Sequence, residues 1–239
     1  MMVHIELQLA LPEQIRPQSG WGYALYGALC AAVPPAVVRQ WHAQAITPVR
    51  QDLRASGPGQ ALWCVDVCGP EAPQVQAALQ NLTHISLNAV DRPLPVLGFK
   101  SQTIHLDALP PPSLRVRLEM LTPMGFKSNG AYQQYPTAEL ILKSLAVRQN
   151  VFFAEQPLPD AALDALLAAP PRIESYRLES RSFPLKGHTI LAFQGVLTLK
   201  ATLPPQLLPA WQQLFAAATY CGIGIKPALG MGAVQIQYR

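Results

Sequence analysis

The sequence predicts an α+β fold built as two tandem ferredoxin-like (RRM-like) βαββαβ domains, residues 1–109 and 113–239. Three observations carry that expectation. Strand-like and helix-like segments follow the same rhythm twice, in stretches of roughly 100–130 residues, a common domain size. Each stretch opens on apolar/polar alternation, Val3–Leu11 and Leu114–Leu121, the period expected of a half-buried strand. Between them stands Pro110-Pro111-Pro112, a run that continues neither a helix nor a central strand.

In the first half, the strand 3–11 is followed by an Ala/Leu-rich helix over 20–33, with Ser19 placed to cap it. Pro34-Pro35 breaks that helix, and 36–44, carrying Trp41 and His42, reads as a second short one. Residues 55–59 form a turn cluster. A strand over 61–68, a helix over 72–82 and strands over 85–90 and 99–106 complete the first domain. After the proline run, 114–121 predicts a strand and 137–148 a helix. Strands over 173–183 and 189–201 are joined by the Lys186-Gly187-His188 turn, and a helix over 209–220 precedes a closing strand over 233–238. Helices then cover one face of an antiparallel sheet in each half.

Composition bounds the function. Hydrophobic residues make up 50% and charged residues 13%, enough apolar material for a packed core and too little charge for a disordered chain. No run of about 18 apolar residues is present, so no membrane partner is expected, and the N-terminus lacks the pattern of a secretion signal; the expected location is cytoplasmic. The net charge of +4 suits a polyanionic partner without demanding one. Cys30, Cys64, Cys68 and Cys221 lack zinc-ligand spacing and read as reduced thiols. No metal or other cofactor is expected.

The sharpest local feature is Gly222-Ile-Gly-Ile-Lys226-Pro-Ala-Leu-Gly230-Met-Gly232, between the last helix and the last strand. Glycine permits positive φ and close backbone approach, which suits a polyanion laid against N–H groups. Lys226 adds a charge inside it. The segment is neither a Walker loop nor a dinucleotide fingerprint, because it follows a helix and precedes a strand. On spacing alone, a tight structural turn packed against the sheet is the alternative reading.

In context the segment resembles the C-terminal signature of the CRISPR-associated endoribonucleases that process precursor CRISPR RNA, members of the RAMP superfamily. Leu121-Thr-Pro-Met-Gly-Phe-Lys127-Ser-Asn-Gly130, Tyr135-Pro136 and the helix ending at Arg148 are similar to that family's mid-chain block. Phe183 to Gly195 resembles its penultimate hairpin, and Tyr26-Gly27-Ala-Leu with 35–42 its first helix and histidine segment. The resemblance implies two ferredoxin-like domains and metal-independent cleavage of CRISPR repeat RNA by the adjacent 2′-hydroxyl, leaving 5′-hydroxyl and 2′,3′-cyclic phosphate ends. It implies repeat RNA as partner, a CRISPR effector complex as a further one, and a monomer or homodimer.

That chemistry needs a base, an acid and positive charge near the phosphate. Of five histidines, the resemblance puts His42 at the catalytic position. Some relatives set a tyrosine and a lysine beside it. Here Cys30 falls where the tyrosine would stand, leaving Tyr26 or Tyr23, and Arg50 or Arg54 stands in for the lysine. Candidate RNA-binding residues are Lys127, Lys226, Gly222, Gly224, Gly230 and Gly232, with Arg115 and Arg117 sharing one strand face. Two other readings remain open: a non-catalytic RNA-binding subunit of the same superfamily, and a small-molecule-binding protein whose glycine segment is only structural.

Overall fold

The computed structural model describes residues 1–18, 20–87, 90–106, 109 and 111–239; the expected cap Ser19 and the first proline of the linker lie outside the described residues. The chain divides into two compact units. One comprises Met1–Ile104 with Ala228–Gly230, the other His105–Pro227 with Met231–Arg239.

The first unit runs β1 (Met2–Ala10), α1 (Trp21–Ala32), α2 (Pro35–Ala43), β2 (Val49–Gly57), β3 (Gln60–Cys68), α3 (Ala72–Gln80), β4 (His84–Ile85) and β5 (Leu94–Ile104). Its sheet has the order β2-β3-β1-β5-β4, and all its pairings are antiparallel. Setting aside the two-residue β4, this is the ferredoxin-like arrangement. Alternation on β1 behaves as the sequence requires. Val3, Ile5, Leu7 and Leu9 are buried and face Val67, Val65, Trp63 and Ala61 across the β1–β3 register. Leu25 and Leu29 of α1 and Val75 and Leu79 of α3 share that core, while His4, Glu6 and Gln8 point the other way.

Two differences from expectation appear here. A strand forms at β2, where the sequence shows no apolar alternation. Its pairing with β3 runs from Val49↔Val67 to Gly57↔Gln60 and supplies the stabilisation that its own residues lack. The strand expected over 85–90 reduces to His84–Ile85, with Asn88 and Ala89 outside the described residues.

The second unit runs β6 (Arg115–Met120), β7 (Phe126–Ser128), β8 (Ala131–Gln133), α4 (Ala138–Phe152), α5 (Asp160–Ala168), β9 (Arg172–Leu185), β10 (His188–Lys200), α6 (Leu208–Cys221) and β11 (Val234–Tyr238). The main sheet has the order β11-β6-β10-β9, again the ferredoxin-like sequence of strands, with β7-β8 as a separate hairpin. Thr137 caps α4 by accepting from the Leu140 N–H at 3.1 Å. Ile141, Leu142 and Leu145 of α4 and Trp211, Leu214 and Phe215 of α6 are buried, as are Val116, Leu118 and Leu197 of the sheet. Helix α5 and the β7-β8 hairpin are insertions on this plan.

Candidate RNA-processing site

Helix α1 and the short α2 meet at Pro34-Pro35, and this elbow gathers the first candidate residues. Trp41 is fully buried and anchors α2, which leaves the next residue, His42, exposed in the helix's last turn. The Tyr26 ring, on α1, lies 6.4 Å from the His42 ring and 6.5 Å from that of Trp41, centroid to centroid. Burial raises the Tyr26 phenol well above its ordinary value, with Cys30 adding to the rise and a hydrogen bond with Thr47 opposing it. The phenol is therefore neutral and hydrogen-bonding near neutral pH. Cys30, one helical turn on, is also raised by burial. His42 and Tyr26 thus come together, whereas Tyr23 stands 40% exposed on α1.

Arg50 does not join them, which corrects the expectation that it serves as a catalytic cation. It is only 3% exposed, and its guanidinium is held by Asp52 at 2.5 Å and Asp66 at 2.6 Å. Register explains this. Arg50 lies directly across from Asp66, and Asp66 across from His4, so the three form one row on the sheet face opposite the helices. His4 Nδ1 sits 2.6 Å from Asp66 Oδ1. Arg54 is committed as well, to Asp52 at 2.7 Å and to Cys64 Sγ at 2.9 Å. Burial pushes the Cys64 thiol up to about 12. Among the described residues, His4, Glu6 and Cys64 bring ligand atoms within 4.8 Å of one another, and each already has a protein partner. A cavity of about 400 Å³ lined by His4, Glu6, Lys100, Ser101 and Gln102 opens beside them.

The glycine segment has a structural job that the sequence left undecided. Its N–H groups are largely taken up inside the protein. Gly222 donates to Ala218 O, Ile223 to Gly232 O, Ile225 to Gly125 O and Gly232 to Pro123 O, each at 2.9 Å. Gly224 donates to Ser144 Oγ at 2.7 Å. Its carbonyl accepts from Arg148 Nε and Nη2 at 3.1 and 2.8 Å. Ser144 and Arg148, one turn apart on α4, therefore clamp the segment, and burial lowers the Arg148 guanidinium to about 10 without discharging it. Gly224 and Gly232 both have positive φ. A Cβ on either would stand 2.3 Å from Gly125 O or 1.9 Å from Ile223 O, a spacing no side chain tolerates. The expectation that Gly222, Gly224 and Gly232 offer free N–H groups to phosphate is corrected accordingly. Lys226 is half-buried with φ 54°.

Ala228–Gly230, grouped with the first unit, meets a residue that sequence reasoning missed. Gln51 occupies a core-facing position of β2 and is fully buried. Its amide donates to Gly22 O at 3.0 Å and Ala228 O at 2.6 Å, and accepts from Trp63 Nε1 at 2.7 Å. A polar residue in a core row was the available signal. Gly22, and Gly230 against it, leave room for this packing; a Cβ at Gly22 would lie 2.0 Å from Leu229 O.

In the second unit, Arg115, Lys200 and Arg172 form a row across three strands. Glu174 pairs with Arg115 at 2.7 Å and, chiefly through that hydrogen bond, is held below the usual carboxylate range. Arg117 lies on the same face, opposite Thr198, and its Nε has no acceptor among the described residues. Lys127 stands exposed on β7, directly across from Tyr132 on β8.

The CRISPR-associated endoribonuclease Cas6 family model matches residues 118–234. A Cas6 endoribonuclease of Streptococcus thermophilus is 35% identical over 119 residues, 49% of this chain and 49% of that protein. One from Mycobacterium tuberculosis (strain CDC 1551 / Oshkosh) is 25% identical over 226 residues, 90% of this chain and 71% of its own length. The matched stretch thus spans about half of the streptococcal relative. Among solved structures, a Cas6 product complex superposes with a TM-score of 0.81 at 20% identity, covering 99% of this chain and 100% of that one. Over residues 118–234 the chain is similar to the CRISPR-associated endoribonuclease Cas6 family, and it shares the fold of solved Cas6 structures.

Proposed function

We propose that this protein binds CRISPR repeat RNA and cleaves it without a metal ion. In this reaction a 2′-hydroxyl oxygen attacks the adjacent phosphorus, the bond to the 5′-oxygen breaks, and a 2′,3′-cyclic phosphate and a 5′-hydroxyl result. One proton leaves the 2′-hydroxyl and one reaches the departing 5′-oxygen, and histidine suits either transfer near neutral pH. The observation that carries the reading is the exposed imidazole of His42 beside the Tyr26 ring. Tyr26, as a neutral phenol, orients His42 or donates a hydrogen bond to the phosphate. Arg50 is left out of the chemistry. Binding of the RNA backbone is assigned to Lys127, Lys226 and Arg117, and Gly222, Gly224, Gly230 and Gly232 shape the segment that carries Lys226.

The test is a cleavage and binding assay on repeat RNA in chelator. His42→Ala abolishes cleavage, a loss of at least a hundredfold for a general acid or base, and leaves RNA affinity within about twofold. Cleavage that survives this change overturns the assignment of His42. Wild-type protein that binds repeat RNA and never cuts it favours the non-catalytic RNA-binding subunit. Cleavage that requires a divalent ion overturns the metal-independent route.

A further inference from the structure

We propose that His4, Glu6 and Cys64 form a zinc-binding site on the first unit's sheet, on the face opposite its helices and separate from the cleavage residues. Strand register builds the cluster. His4 and Glu6 are two residues apart on β1 and share a face. On β3, Asp66 lies across from His4 and Cys64 across from Glu6; on β5, Gln102 and Lys100 lie across from the same two residues. An imidazole nitrogen, a carboxylate oxygen and a sulfur thereby come within 4.8 Å of one another. Ligand atoms at about 2.0–2.3 Å from a tetrahedral zinc ion stand about 3.3–3.8 Å apart, so a contraction of about 1 Å completes the set.

Three features select zinc as the occupant. The first is the donor set: imidazole and thiolate suit zinc, whereas magnesium and calcium take oxygen ligands. The second is the outer shell. Asp66, fully buried, places Oδ1 2.6 Å from His4 Nδ1 and is itself held through Oδ2 by Arg50 at 2.6 Å. A carboxylate on one ring nitrogen directs the other at a metal, and His4 Nε2 faces Glu6 Oε1 at 3.5 Å, where an ion would insert. Arg54 donates to Cys64 Sγ at 2.9 Å, a bond that a metal-bound thiolate keeps. The third is charge and room. The Cys64 proton leaves on binding, and the thiolate and the Glu6 carboxylate together cancel the charge of the ion. Asp52 and Asp66 already offset Arg50 and Arg54, and Lys100 is exposed, so water screens it. The adjoining cavity of about 400 Å³ has space for a water as fourth ligand. Tyr26 and Trp41, on α1 and α2, pack into the core beneath the other face of the sheet, so an ion at this site takes no part in the chemistry of His42.

The experiment uses the full chain, reduced and stripped with chelator, and needs no RNA, so its outcome is independent of the RNA-processing reading. Zinc is titrated by calorimetry and cobalt(II) by absorption. Wild-type protein takes up one zinc ion per chain and its thermal midpoint rises; bound cobalt shows the near-ultraviolet charge-transfer band of a thiolate ligand. Cys64→Ser loses that band, and Cys64→Ser and Glu6→Gln each bind zinc at least about tenfold more weakly. Cys68→Ser, two residues beyond Asp66 on the same strand, keeps both band and affinity. Circular dichroism of each metal-free variant separates lost ligation from lost folding, and Glu6, one-third exposed, decides the matter if Cys64→Ser fails to fold. A cobalt spectrum without the band overturns the site, as does its loss in Cys68→Ser in place of Cys64→Ser. Zinc uptake that Cys64→Ser and Glu6→Gln leave unchanged, as binding at surface histidines would, overturns it equally.

Discussion

Replacing Gly232 with alanine tests whether the glycine segment is architecture, and the structure sets the size of the effect. Gly232 has φ 69°, a conformation that costs a residue with a Cβ about 1–2 kcal/mol. The new Cβ would also stand 1.9 Å from Ile223 O and 3.0 Å from Ile223 C. The chain must move by more than an ångström to relieve that overlap. Gly232 O accepts from Ile223 N–H, and Gly232 N–H donates to Pro123 O, both at 2.9 Å. A shift of that size breaks at least one of these buried bonds, and an orphaned buried group costs about 1–3 kcal/mol. The sum is roughly 2–5 kcal/mol, a large share of the stability of an ordinary domain.

Gly187 supplies the control. Its φ is 77°, yet a Cβ there meets nothing within 4 Å, so Gly187→Ala carries only the backbone penalty, about 1 kcal/mol. Urea unfolding followed by circular dichroism compares the two variants, read as midpoint shifts at constant slope. Gly232→Ala shifts the midpoint about three times as far as Gly187→Ala. Equal shifts would refute the packing argument and leave the segment free to serve as an exposed anion loop.

Two further outcomes follow from the polar face of the first sheet. Arg50→Ala removes the guanidinium shared by Asp52 and Asp66, both at most 1% exposed, and leaves them only Arg54 and His4 as partners. It destabilises the protein by about 3–5 kcal/mol while retaining cleavage at temperatures where it stays folded; unchanged unfolding with cleavage abolished would restore Arg50 to the catalytic set. His4 makes stability depend on pH. Burial alone would lower its pKa, but Asp66 and Glu6 outweigh it and the net shift is upward. A group raised on folding stabilises fully below its unfolded value, about 6.5, and that contribution is lost as pH rises through the folded value. Wild type minus His4→Gln, measured by urea unfolding across pH 5.5–9 (an assay range of about three units around that value), therefore shrinks as pH rises; a constant difference would refute it.

The parts of the fold legible in the sequence are those with a local signal. Alternation marked β1 and β6, proline marked the break between α1 and α2, and the turn at Lys186-Gly187 marked the long hairpin. Strand β2 carried no such signal, because Gln51 sits in its core row and Arg50 and Asp52 face the other way. Its strand character comes from pairing with β3. Arg50 misled for the same reason: a cation near a catalytic histidine in sequence looks available, and only cross-strand register reveals Asp66 opposite it. Helix α5 carries a readable apolar pattern, but its place as an insertion between α4 and β9 is set by tertiary packing.

The glycine segment lies within the stretch matched by the Cas6 family model, and its internal hydrogen bonding bears on how RNA would be held. With its N–H groups engaged internally, affinity has to come from side chains. Many cations are already committed as well: Arg50 and Arg54 to carboxylates, Arg148 to Gly224 O, Arg115 to Glu174 and Arg181 to Glu179. Surface pairs such as the last two are weak and open readily to phosphate, but the buried ones do not. The net charge is only +4. On the proposed reading, few phosphates are neutralised, each contributing about 0.7 to the salt slope of single-stranded RNA. The rest of the affinity must then be largely insensitive to salt.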